Sequence, residues 1–291
     1  VSNVAIATSE AKPGVYLTYL RAFGGLVLRD FRVLRREIGP FLIRTIMNPL
    51  LFLFVFTYIF PRIGQGAMMS GAAAGAAAAT AGHPAINFGT VLLPGLMAVA
   101  IMFSGIAAVA LPLATEFGIT REIEDRVMCP LPVSLVAIEK VCFSAVQSIV
   151  AAGAVFPLAY FIPTAPVAVH VTNWFFLAAV MLLAGLTAGV LGLTIGTSVE
   201  ARQIGLIFSI VVIPITFLGC VYYPWAALYK IRWLQMLVLA NPIVYMSEGL
   251  RAALTPSLPH MPAWLILLAL TLSMCLLGTF GIRGFLRRVQ S

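Results

Sequence analysis

Charge is what this 291-residue chain has least of. Only 10% of its residues are Asp, Glu, Lys or Arg, while 61% are hydrophobic and the mean hydropathy is +1.03. Soluble domains carry about 25% charged residues, so a water-soluble globular fold is excluded. Cysteine is limited to Cys129, Cys142, Cys220 and Cys275. They lack metal-like spacing, and the topology derived below leaves only Cys220 near the outside, which argues against a disulfide framework. The three histidines, His83, His170 and His260, are isolated and far apart, which argues against a metal centre. No Gly-Lys pair occurs anywhere. A phosphate-binding loop of the form Gly-x4-Gly-Lys-Ser/Thr is thereby excluded, and with it nucleotide hydrolysis by that route.

Long apolar runs are what the chain has in excess. Crossing about 30 Å of hydrocarbon takes about 20 apolar residues in a helix. Windows that meet this rule lie near 40–60, 89–114, 136–162, 173–199, 203–220 and 262–283. The expected fold class is therefore an all-α integral membrane protein with six transmembrane helices. The first window follows an arginine-rich stretch rather than a brief charged N-terminus, unlike a secretory signal. With six spans and both termini inside, 14 of the 18 basic residues fall on the cytoplasmic side, leaving Arg62, Lys230, Arg232 and Arg251 outside. This bias sets the orientation by the positive-inside rule. The net charge of +8 is thus topological, and no nucleic-acid partner is expected.

Residues 1–14 read as a flexible polar leader. Over 15–38 the apolar positions Tyr16, Leu20, Phe23, Val27, Phe31, Leu34 and Ile38 recur at spacings of three and four, one face of a helix. Arg21, Arg29, Arg32, Arg35 and Arg36 gather opposite. A basic amphipathic helix before a span is expected to lie along the cytoplasmic interface of the bilayer. The first span places Arg44 where it snorkels to the headgroups, and its second half is rich in aromatics (Phe52, Phe54, Phe56, Tyr58, Phe60). An external loop with the run Gly71–Thr80 offers only small side chains and reads as a spacer. Pro94, Gly95 and Pro112 in the second span predict kinks absorbed by neighbouring helices. Gly185, Gly189, Gly192 and Gly196 in the fourth predict close helix approach within one subunit. From Gly219 to Pro262 the chain stays apolar and aromatic but is broken by Pro224, Pro242, Pro256 and Pro259. Short re-entrant or interfacial helices on the outer side are expected there.

Against this background a polar island, Thr115 to Ser134, stands out. It holds Glu116, Arg121, Glu122, Glu124, Asp125 and Arg126 between two long apolar spans. It reads as a short, acidic-leaning helix ended by Pro130, with Ser134 placed to cap the third span. A stiff element of mixed charge suits docking to a soluble partner, although an ordinary solvated connection has the same composition. The remaining acids, apart from Glu248, sit at or inside the cytoplasmic boundary. No carboxylate lies mid-membrane, which removes the usual relay of a proton-coupled transporter. No nucleophile is paired with a base as a membrane enzyme requires.

The chain resembles the permease subunit of type-2 ABC exporters, in particular the daunorubicin-resistance and nodulation-factor branch. Four features carry the likeness. They are Arg35-Arg36 before the first span, Asn87-Phe88 with Leu93-Pro94-Gly95, and Arg121-Glu122-Ile123-Glu124-Asp125-Arg126 with Pro-Leu-Pro-Val-Ser from Pro130. The last is Phe217-Leu218-Gly219 and Tyr223-Pro224 leading to Asn241-Pro242-Ile243-Val244-Tyr245 and Arg251. Many members place a Gly-Thr step before the loop proline, where Val127-Met128-Cys129 stands here.

The resemblance implies a transmembrane domain over 15–284 and a basic cytoplasmic tail over 285–291. It implies a dimer, of identical or different permeases, in the inner membrane of a bacterium. It also implies a separate cytoplasmic ABC ATPase that holds ATP and Mg, with no cofactor bound by this chain. On that reading Arg121, Glu122, Glu124, Asp125 and Arg126 contact the ATPase, with Arg35, Arg36 and Glu37 beside them. Asn241, Pro242, Tyr245, Glu248 and Arg251 belong to the outer gate. There Glu248 and Arg251, three residues apart, are expected to form a structural ion pair. The branch implies an amphipathic substrate (drug, lipid or lipid-linked saccharide). A secondary transporter or channel indifferent to ATP is the alternative, and a lipid-modifying enzyme the weakest one.

Overall fold

In the computed structural model the described residues are 13–36, 38–59, 62, 88–120, 132–161 and 169–290, and their regular structure is entirely helical. In lipid a helix satisfies every backbone donor and acceptor within its own segment, so long apolar runs have this one local solution. Helix α1 spans Pro13–Arg36. Helix α2, Ile38–Phe54, continues as a π-helical turn over Val55–Ile59. Helix α3, Phe88–Thr115, likewise ends in a π-helical turn, Glu116–Thr120. Helices α4 (Val133–Phe161) and α5 (Trp174–Ser198) follow. Helix α6 is the shorter Ile204–Phe217, interrupted by a π-helical turn over Phe208–Val212. Two short helices, α7 (Arg232–Leu237) and α8 (Pro242–Leu254), precede the last long one, α9 (Ala263–Gln290).

Among the described residues, four segments are long and apolar enough to cross a membrane: Gly89–Gly118, Val133–Leu158, Trp174–Ser198 and Ala263–Val289. They match the second, third, fourth and sixth expected spans. Within the windows expected at 40–60 and 203–220, residues 40–59 are helical as α2 with its π-helical turn, and 204–217 as α6. At about 1.5 Å per residue, α6 extends only about 21 Å, less than the hydrocarbon thickness. The Gly71–Thr80 run of the external loop and residues 1–12 of the leader lie outside the described residues, and Pro13 and Gly14 already belong to α1. Ser134 does not cap the third span as expected. Helix α4 starts at Val133, and Leu135 N donates to the carbonyl of Pro132 (2.8 Å), so Ser134 is already inside the first turn.

Helix α5 is the hub, packing on α3, α4, α8 and α9. Its glycines make this possible. A Cβ at Gly192 would come within 2.8 Å of the Ile106 carbonyl on α3, and one at Gly196 within 3.0 Å of the Ala110 Cα. On the other side a Cβ at Gly185 would meet the Ala145 backbone of α4 at 3.1 Å. The small-residue stripe is thus spent inside one subunit, as expected. Helix α3 is apolar all round and correspondingly enclosed: Leu92, Leu93, Leu96, Met97, Ile101, Met102 and Ile106 have no exposure, the mark of a core helix. Helix α9 is the opposite case. Leu268, Leu272, Leu276 and Phe280 recur every fourth residue and are all more than half exposed, a stripe suited to lipid contact.

The bundle has two chemically distinct ends. Tyr160, Phe161, Trp174, Phe175, Trp233 and Trp264 are exposed where α4 stops and where α5 and α9 begin, together with the cap formed by 218–261. Arg21, Arg29, Arg32, Arg35, Arg36, Arg202 and Arg287 belong to the opposite end. Helix α2 runs between them: Phe41 lies beside Lys140 at the basic end, and Phe52 and Phe56 pack on Tyr222 at the aromatic end (centroids 5.5 and 6.1 Å).

Candidate functional site

At the basic end the site is the root of the charged loop, where α3 gives way to its π-helical turn and α4 begins. Glu116, first residue of the turn, accepts a hydrogen bond from Lys140 Nζ at 2.9 Å, with side-chain exposures of only 7% and 6%. Glu139, fully buried, precedes Lys140 on α4. The next turn residue, Phe117, packs edge-on against Phe285 of α9 (centroids 5.8 Å). It also lies under the Arg288 guanidinium, 5.0 Å from the ring centre. Arg288 Nη1 faces the carbonyls of Val199 (2.8 Å), Thr197 (3.0 Å) and Gly196 (3.3 Å). These are carbonyls left over at the end of α5, where a cation is favoured by about 0.3–1 kcal/mol.

Beside this root, a cleft of about 480 Å³ opens between α1, α2, α3 and α4. Arg29, Asp30 and Lys140 line it together with apolar side chains that include Val33, Phe41, Leu111 and Phe143. Helix α1 faces the cleft with Leu34 half-buried, while Leu20 and Phe31 from the same expected apolar stripe stay exposed. Of the residues expected to touch an ATPase, Arg35 and Arg36 are exposed at the end of α1. Glu37, Arg121, Glu122, Glu124, Asp125 and Arg126 lie outside the described residues.

At the aromatic end the structure brings together all five residues expected there. Asn241 caps α8 and ties it to α6: its Oδ1 accepts from Ile243 N at 3.0 Å while its Nδ2 donates to the Ile215 carbonyl at 2.6 Å. Pro242 opens the helix, where its missing N–H costs nothing. The Tyr245 hydroxyl donates to the Leu239 carbonyl (2.8 Å). Glu248 and Arg251 form the expected ion pair, with side-chain exposures of 1% and 0%. Glu248 also accepts from the backbone N–H of Trp225 (2.9 Å) and of Met261 (3.1 Å). Arg251 Nη2 reaches the Cys220 carbonyl at 3.2 Å. Cys220 has φ 51°, the left-handed region that non-glycine residues rarely adopt, so Arg251 steadies a strained corner. The Tyr222 ring packs among Phe52, Phe56 and Phe217.

Several residues of these sites escaped sequence reasoning. Lys140 read as one more basic residue near a span end, and Arg288 as part of a basic tail. Gly95 read only as half of a kink. A Cβ there would meet the Val221 carbonyl oxygen at 1.9 Å, so glycine is what lets the cap backbone touch α3. A Pro-Gly pair inside a long apolar run was the available signal for Gly95. For Lys140 and Arg288 it was the rarity of charge itself in such a chain.

A helical bundle with one basic and one aromatic end, four long apolar crossings and a broken cap defines a multi-pass membrane protein. Within that class, the family model described as ABC-2 type transporter matches residues 21–255. The chain therefore belongs to the ABC-2 type transporter family and is a permease, the transport subunit of an ABC transporter. A comparison with curated proteins gives no match.

Proposed function

We propose that this chain moves an amphipathic substrate (drug, lipid or lipid-linked saccharide) outward across a bacterial inner membrane, driven by a separate ABC ATPase that docks on the 115–134 loop. The observation that carries this reading is the construction of the loop root. The one strongly charged connection between two long spans starts and ends on helices joined by the buried Glu116–Lys140 pair. A freely solvated connection needs no such tie. Arg35 and Arg36, exposed at the same end, supply further contacts, with Glu37 beside them.

Six crossings fit the path of the chain. Helix α6 starts next to the 116–120 turn and ends with Phe217 on Tyr222, so it too joins the basic end to the aromatic end. Both termini then lie in the cytoplasm with the arginine-rich end. Helix α1 lies at the cytoplasmic interface, and the 218–261 cap forms the outer gate at membrane depth. The exposed stripes Ile43, Met47 and Leu51 on α2 and Leu206, Ile210, Ile213 and Phe217 on α6 are the surfaces for a second permease copy. The cleft, lined by Arg29, Asp30 and Lys140 and apolar along its walls, suits an amphipathic molecule.

The test is the double reversal Glu124→Arg with Asp125→Arg in the full chain co-expressed with its ATPase. Reversing charges at a docking contact is expected to lower ATPase co-purification at least about tenfold, equivalent to about 1.4 kcal/mol, with membrane insertion intact. Unchanged co-purification together with unchanged ATP hydrolysis would remove the docking role.

A further inference from the structure

A π-helical turn has poorer, longer-range hydrogen bonding than an α-helix and is a natural place for a helix to yield. The turn Glu116–Thr120 opens the charged 115–134 loop. If it yielded freely, a push on the loop would be absorbed there. Its two leading side chains are instead each held from outside α3. Glu116 is held by Lys140 of α4 through a desolvated ion pair at 2.9 Å. Phe117 is held by Phe285 and Arg288 of α9, and Arg288 in turn grips the last carbonyls of α5. Phe285 is fully buried, and both α9 residues lie beyond the part of the chain that the family model covers.

We propose that Lys140 and Arg288 are positioning residues that divide a displacement of the charged loop between two outputs, α4 through Glu116 and the α5–α9 pair through Phe117. The inference rests on the docking reading above. A buried ion pair keeps its geometry because separating it leaves uncompensated charge out of water. The planar guanidinium adds the ring stack and the carbonyl contacts at once, which a lysine ammonium cannot reproduce. The spans therefore move with the loop rather than being left behind by it. Division is the testable part: Lys140 and Arg288 grip different residues of the turn, whereas Phe117 and Phe285 also meet Val133, Val136 and Ala137 of α4 in one apolar cluster.

The experiment uses the permease with its ATPase in lipid nanodiscs, comparing amide hydrogen exchange with and without ATP plus vanadate. In the wild-type complex, exchange is expected to change at both 133–140 and 283–290. Arg288→Gln is expected to abolish the change at 283–290 and keep that at 133–140, and Lys140→Met to do the reverse. Phe117→Leu, which leaves the α5 carbonyl contacts in place, is expected to act like Arg288→Gln, and Phe117→Tyr to restore the response. ATPase co-purification should stay at the wild-type level in every variant, which a failure of docking would not allow. The proposal is overturned if Arg288→Gln and Phe117→Leu both keep the 283–290 response, or if either arm's variant silences both arms equally. It is overturned too if the wild-type complex, with ATPase bound, responds at neither helix. Should Glu124→Arg with Asp125→Arg leave the ATPase bound, the docking reading itself fails, independently of these outcomes.

Discussion

Arg251 is the largest side chain in the described chain with no solvent exposure. Taking a guanidinium and a carboxylate out of water costs several kcal/mol per ion, and a single contact does not offset it. What offsets it here is the rest of the network. Two backbone N–H groups, from Trp225 and Met261, also point at Glu248, and the Cys220 carbonyl accepts from Arg251. Four chain segments of the cap thereby meet at one ion pair. Arg251→Met leaves Glu248 charged and buried, and the expected loss is on the order of 3–5 kcal/mol, read as a lower melting temperature in detergent. Pairing it with Glu248→Gln removes the stranded charge while keeping an acceptor for one of the N–H groups. The double variant should therefore melt above Arg251→Met alone; a double variant that melts no higher would show that lost packing, not stranded charge, sets the cost.

At the scale of elements, the helices were legible because hydropathy has one outlet in lipid, and their faces were partly legible from small residues. The fourth span shows this best. Its glycines were readable as a close-approach stripe, and the structure seats Gly192 and Gly196 on α3 and Gly185 on α4. Gly192→Val is expected to force α5 off the Ile106 backbone and cost about 1–3 kcal/mol as an overpacked core. Gly153→Ala on α4, where a Cβ meets nothing within 4 Å, should instead be neutral or stabilise by up to about 1 kcal/mol through helix propensity. Thermal melts of the two variants side by side check this, and equal destabilisation would contradict the seam. What the sequence left hidden was pairing across distance. Arg288 and Gly196 are 92 residues apart and Glu116 and Lys140 are 24 apart, and no local period connects them. The break at Ser134 was missed for a smaller reason: Pro132 ends its own segment one residue earlier than a serine cap would, and the helix starts at once.

The whole molecule is oriented by two surfaces read in different ways. The basic end was visible in the sequence as a count of arginines, whereas the aromatic end emerges only when α4, α5, α9 and the cap bring distant Trp and Tyr residues to one level. Together they place the bundle across a bilayer by the positive-inside bias and the aromatic belt. The disputed crossings are α2 and α6, and the parity of the count depends on both. If both cross, reporters fused ahead of α1 and after α9 share the cytoplasm, and one inserted in the Gly71–Thr80 run faces outward. If α6 turns back at its own depth, being only about 21 Å long, α9 would end on the far side. A pair of fusions to alkaline phosphatase and to green fluorescent protein at these three positions separates the cases. Expected are fluorescence without phosphatase activity at both ends, and phosphatase activity at the inserted site alone. Phosphatase activity from the C-terminal fusion would reject six crossings. It would also detach Arg288 from the end of the bundle where Glu116 and Lys140 meet the charged loop.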